Sequence, residues 1–108
     1  MVIKQFDVHL VNLDPTMGAE IQKTRPCLII SPDEMNRHLR TVLIAPMTTQ
    51  TRQYPTRVRC RFMGKRGEVV LDQIRAVDRK RLVRRLGRLD RPTCRRVVSV
   101  LRELFRLE

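Results

Sequence analysis

A small barrel-like antiparallel sheet with one helix packed on it, mainly β within the α+β class, is the fold this sequence predicts. Three observations lead there. Short apolar runs with a period of two recur along the first ninety residues, prolines and glycines punctuate them, and a single period-3.6 stripe follows an acid-Arg-Pro helix start near the C-terminus. At 108 residues the chain is read as one domain over 1–108, long enough to bury roughly two thirds of its unfolded surface.

The first strand is Phe6 to about Leu13, where Phe6, Val8 and Leu10 alternate with Asp7 and His9 before Asp14-Pro15 interrupts. After the loop TMGAEIQKT, the segment from Arg25 to Pro32 is a second strand bounded by prolines, and Pro26 suits only a strand start or an edge. Pro32 to Asn36 is a turn or a single helical turn. Thr41–Ala45 is a third strand that Pro46 should stop. Tyr54 to Phe62 is a fourth, with Val58, Cys60 and Phe62 on one face and Arg57, Arg59 and Arg61 on the other. GKRG is then a turn, Glu68–Leu71 a strand, Asp72-Gln73 a polar interruption, and Ile74–Val77 further strand. A weaker strand covers Leu82 to Leu89. Asp90-Arg91-Pro92 caps a helix whose apolar stripe is Cys94, Val97, Val98, Leu101, Leu104 and Phe105.

Charge divides the chain in two. Residues 1–50 hold five Lys/Arg against five Asp/Glu, and residues 51–108 hold eighteen against six, so the whole net charge of +12 lies in the second half. Such a field favours a polyanionic partner. No apolar run approaches the roughly 20 residues of a spanning helix, and the N-terminus has no signal-peptide pattern, so a cytoplasmic protein without a membrane is expected. Cys27, Cys60 and Cys94 are scattered and odd in number, which suits reduced, buried thiols. There is no His-x-x-His, paired carboxylate or cysteine cluster to hold a metal, and no cofactor motif, so any transfer chemistry is expected to be free of both.

Four places are candidates for chemistry. Arg25, before a proline, is biased to extended backbone and can present parallel donors to a phosphate; Glu20 is the nearest carboxylate. On spacing alone an ordinary surface ion pair is the plainer reading of these two. Thr48, Thr49 and Gln50 place hydroxyl and amide donors at a strand end, or form a solvated turn. Asp72 and Gln73 are a polar pair in an apolar strand. The row Arg57, Arg59, Arg61 repeats about every 6.6 Å, a spacing that follows the phosphates of an extended single strand. Aromatic residues are few, so a stacking platform is not expected. His9 and His38 have nothing tying them together and read as structural.

Together DVHLVNLDPTMGAE, TRPCLIISPDEMNR, VLIAPMTTQ and GEVVLDQIRAVDRKRL, followed by a helix, resemble the MazF/PemK toxins, the endoribonuclease halves of toxin-antitoxin pairs. The motifs run in the family's order from about residue 5 to the C-terminus. The resemblance implies an SH3-like barrel with a C-terminal helix, a homodimer, and sequence-specific, metal-independent cleavage of single-stranded mRNA that leaves a 2′,3′-cyclic phosphate and a 5′-hydroxyl. Arg25 and Thr48 correspond to the family's loop arginine and first hydroxyl, and Glu20 to its loop acid. Asp72 and Gln73 fall where the family has a polar pair lining its RNA groove, and the further expected RNA contacts are Thr49, Gln50, Arg52, Arg57, Arg59 and Arg75. An acidic antitoxin that folds on the toxin is the implied protein partner. One departure is visible: many relatives have Gln directly after the loop acid, whereas here Ile21 precedes Gln22. A gyrase-poisoning toxin of the CcdB type shares the fold, but its C-terminal tryptophan motif has no counterpart in LRELFRLE. The remaining alternative is a non-catalytic RNA-binding regulator.

Overall fold

In the computed structural model, which describes residues 1–108, the strands are β1 (Asp7–Asn12), β2 (Thr24–Ile29), β3 (Thr41–Thr48), β4 (Arg57–Phe62), β5 (Lys65–Val70), β6 (Arg75–Asp78) and β7 (Leu82–Arg88). A six-residue helix α1 (Asp33–His38) lies between β2 and β3, and α2 (Arg91–Leu104) closes the chain. The sheet runs β4-β5-β3-β2-β1-β7, with β6 also paired to β3, and every pairing described is antiparallel. The expected architecture of a curled antiparallel sheet with a C-terminal helix is the observed one.

The curl gives the sheet two buried faces. One core, under α2, gathers Val8, Leu28, Ala45, Met47, Val69, Cys94 and Val97; the other gathers Val11, Leu13, Cys27, Ile29, Val42, Ile44 and Leu82. Neighbours such as Leu28 and Ile29 therefore point into different cores, and β1 is not half-buried as its alternation predicts. Asp7 and His9, on its nominally polar side, are also buried. Asp7 tolerates this because Arg85 and Arg88 of β7 each reach its carboxylate at 3.1 Å.

Three boundaries differ from the sequence reading, each for a local reason. Strand β3 runs through Pro46 to Thr48. Residues Thr41–Ile44 pair with β6 and Met47–Thr48 with β5, so Pro46 falls in the gap between the two partners. The Leu43 carbonyl accepts from Ile30 on the β2 side, and alternation turns the Pro46 nitrogen the other way, into that gap, where a missing N–H costs nothing. Likewise Pro26 is the third residue of β2, just beyond the first β2–β3 pair, Cys27 with Pro46, so it sits at a local edge.

GKRG is not all turn. Met63 and Gly64 have φ of 51° and 77° and form a two-residue hairpin loop, and Lys65-Arg66-Gly67 already pair with β4. Gly67 is required by close approach: a Cβ there would lie 2.2 Å from the Thr48 carbonyl oxygen. Asp72 and Gln73 lie in a 3₁₀ turn (Leu71–Gln73) rather than in a strand. Helix α2 begins as its sequence predicts, with the Asp90 carboxylate accepting the Thr93 N–H at 3.1 Å. Its apolar stripe is buried only at the start: Cys94 and Val97 are in the core, whereas Phe105 is 73% exposed.

Candidate active site

Arg25 and Thr48 converge from adjacent strands. The β2–β3 register pairs Cys27 with Pro46, and carrying it two residues further sets Arg25 opposite Thr48. Both side chains line a cleft of about 180 Å³, together with Pro26, Thr49, Lys65 and Arg66. Arg25 donates only Nε, to the Gln22 carbonyl at 3.2 Å, so the outer nitrogens of its guanidinium have no protein acceptor. Thr48 Oγ1 accepts the Gln50 N–H at 3.1 Å, which fixes the hydroxyl while leaving its proton to be donated. A cation and a hydroxyl donor at one cleft, with two further cations beside them, have the chemistry to take a phosphate.

The ion pair that spacing suggests between Glu20 and Arg25 is absent. Glu20 accepts the Met17 N–H within its own loop and does not line the cleft. That loop, residues 13–23, is held at its base by Asp14 on the Lys23 N–H and by Arg75, which donates to the Leu13 carbonyl at 3.1 Å. Its tip is held by Gln73, whose Oε1 accepts the Ile21 N–H at 2.8 Å and whose Nε2 donates to the Ala19 carbonyl at 3.4 Å. The apolar Ile21 side chain packs against the second core, which accounts for an apolar residue directly after the loop acid. Gln73 and Arg75 thus brace the loop that leads into Arg25.

A second brace was missed by sequence reading. Glu68 is fully buried in β5, and its two oxygens accept the N–H groups of Arg52 and Gln53 at 2.9 and 3.0 Å. It pins the segment that leaves Thr48. The signal was an acid at the head of the run Val69-Val70-Leu71, where a carboxylate survives burial only by finding donors. Arg57 joins this network. Its side chain is 10% exposed, bonds Asp72 at 3.1 Å, lies 4.0 Å from Glu68, and stacks on Tyr54. Partial burial works to raise the Asp72 pKa, but the hydrogen bonds from Arg57 and Thr56 outweigh it and hold the carboxyl below its ordinary value.

Of the residues singled out from sequence, then, Arg25, Thr48 and Thr49 meet at one cleft. Arg59 lines the cleft next to it, while Gln50 and Arg52 are exposed on the loop after Thr48. Arg57, Asp72, Gln73 and Arg75 are engaged with protein partners. His9 is buried in β1 and His38 is exposed beside Glu34 at the end of α1, so the two do not form an acid–base pair. The cysteines are reduced; burial pushes the Cys27 thiol up to about 12 and the Cys60 thiol up to about 11, which makes both inert.

Comparison with known proteins places the chain as a whole. Residues 4–105 match the family model of the PemK-like, MazF-like toxin of type II toxin-antitoxin systems. The chain is 35% identical over 96 residues, 83% of each chain, to Endoribonuclease EndoA of Bacillus subtilis strain 168. The crystal structure of MazF from Deinococcus radiodurans superposes with a TM-score of 0.87 at 26% identity, covering 99% of both chains. A MazE-MazF crystal structure from the same organism superposes at 0.82 and 25% identity, over 100% of this chain and 99% of that one.

Proposed function

Because the chain belongs to the PemK-like, MazF-like toxin family of type II toxin-antitoxin systems, we propose that it cleaves single-stranded mRNA at the Arg25–Thr48 cleft. The observation that carries the proposal is the convergence of a guanidinium with unpaired outer nitrogens and a hydroxyl at one small cleft. In the reaction the 2′-oxygen attacks the adjacent phosphorus, the bond to the 5′-oxygen breaks, and that oxygen takes a proton from solvent. The products are a 2′,3′-cyclic phosphate and a 5′-hydroxyl. Negative charge grows on the non-bridging oxygens as the phosphorus becomes five-coordinate. Arg25 neutralises it and Thr48 donates to one oxygen. Glu20 is proposed to take the 2′-hydroxyl proton, for which it must release the Met17 N–H and its loop must carry it into the cleft that it does not line here. The steps use these side chains and solvent, so a chelator should not slow them.

RNA is proposed to run over Thr49, Gln50, Arg52 and Arg59, on the segment that Glu68 holds. Arg57, Asp72, Gln73 and Arg75 contribute chiefly by fixing the loops on either side of the cleft. The partners proposed are a second copy of the chain and a cognate acidic antitoxin. EndoA is named an endoribonuclease and the MazE-MazF structure pairs two proteins, and the +12 charge suits both an RNA and an acidic segment. A cytoplasmic site of action follows from an mRNA substrate; no helix is long and apolar enough to cross a membrane.

The test is cleavage of a long RNA with chelator present, followed by mapping of the ends. Arg25→Ala should lower kcat by on the order of 10²–10³, the usual cost of removing one preorganised donor to a developing oxyanion. Thr48→Ala should reduce kcat more than RNA affinity, since its donation strengthens as charge develops. Full-speed cutting by Arg25→Ala would remove the proposed role.

A further inference from the structure

Beside the Arg25–Thr48 cleft, and sharing Cys60, Arg66 and Gly67 with it, lies a larger cleft of about 640 Å³ lined by Arg59, Arg61, Arg66 and Arg96. Few acids face these charges: Glu68 is the cross-strand partner of Arg59, and Asp90 lies near Arg96. Arg61 of β4 and Arg66 of β5 are direct cross-strand partners, an arrangement in which like charges destabilise the sheet. Neither has a salt bridge, and Arg59 has none either. The one acid in the cleft, Asp90, is committed to the N–H and hydroxyl of Thr93 at the start of α2. Arg96 donates to the Arg59 carbonyl and the Thr93 hydroxyl, which aims its guanidinium into the cleft without discharging it. The sheet and α2 together set four guanidinium groups around one concavity, three from β4 and β5 and one from the helix, an arrangement that an anion from outside would balance.

Resting on the cleavage reading above, we propose that this basin is a second phosphate subsite, which grips the RNA backbone beyond the nucleotides at the cut. Continuity argues for RNA: a strand that leaves the Arg25–Thr48 cleft past Arg66 enters the basin with no gap. Arg59 and Arg61 are alternate residues of one strand, spaced about 6.6 Å along it, so successive phosphates of an extended chain meet successive guanidinium groups. A second copy of this chain is a poorer occupant, because it carries the same +12 excess of positive charge. The subsite reads no bases, so its contribution is to affinity and salt dependence rather than to the choice of cut site.

The experiment compares two RNAs around a mapped cut site, a short oligonucleotide confined to it and the same site extended on both sides. The variants are Arg61→Gln, whose side chain makes no hydrogen bond in the fold, and Arg61→Gln/Arg96→Gln, each checked by thermal melting. For the extended RNA, the slope of log affinity against log salt should become shallower by about 0.7 for each phosphate that is no longer neutralised. Affinity and kcat on the short oligonucleotide should stay at the wild-type level. An unchanged slope on the extended RNA, or equal losses on both RNAs, would overturn the subsite. So would intact RNA binding combined with weakened self-association or antitoxin binding, which would give the basin to a protein partner. Failure of the cleavage reading looks different, since the wild-type protein would then leave both RNAs whole, and the subsite would fall with it.

Discussion

His9 sits in an environment that works against stability. It is fully buried, both ring nitrogens lack a hydrogen-bond partner, and burial lowers its pKa, with Asp7 opposing the shift and Arg85 adding to it. Because the folded state disfavours the protonated ring, the unfolded chain binds more protons over the window between the two pKa values. The resulting stability is fully present above the ordinary value of 6.5 and is lost as pH falls through the lowered folded value. Unpaired buried nitrogens also carry a cost of about 1–3 kcal/mol at any pH. His9→Leu should therefore hold or raise stability at neutral pH and flatten the decline of urea midpoint between neutral and mildly acidic buffer. A variant that is destabilised and equally acid-sensitive would mean that the ring is satisfied after all. Arg25 is the opposite case at the same scale: its outer nitrogens have no protein acceptor, and its side chain lines an open cleft rather than the core.

The cleft is built by elements whose ends are held by polar side chains, of which Glu68 is buried. Strands β2 and β3 bring Arg25 and Thr48 opposite each other, and β5 then fixes the segment after Thr48 through Glu68. Glu68→Gln replaces one acceptor oxygen by an amide that faces two N–H groups, leaving at least one of them unpaired. Amide hydrogen exchange at Arg52 and Gln53 should accelerate sharply while the β4–β5 pairing amides stay protected, and cleavage should weaken with it. Unaltered exchange at those two amides would show that the segment is held by something else. The period-two pattern located these strands because it reports which residues face an apolar interior. It misplaced the ends of β3 and β5, since whether a proline or glycine stops a strand depends on the neighbour across from it.

At the scale of the whole molecule, the uneven charge sets a long-range field. All of the +12 excess comes from residues 51–108, which include the arginines of β4 and β5 and those of α2. Association with single-stranded RNA should be fast at low ionic strength and slow steeply as salt is added, measured by stopped-flow fluorescence, because screening shortens the reach of that field. An on-rate indifferent to salt would show that local contacts alone govern capture. Fold class, the order of strands and helix, the basic half, and the likeness to a toxin family carried by a pre-proline arginine and a strand-end threonine are all legible in the order of residues. Those features live in local propensity, periodicity and composition. Folding in three dimensions was needed to turn Glu20 to its own loop, to make Arg57 and Gln73 braces rather than solvent-facing groups, to bury Glu68 as a clamp, and to gather four arginines at one basin. Each of these depends on which strand lies beside which and on how far the sheet curls, and a linear order of residues does not carry that distance.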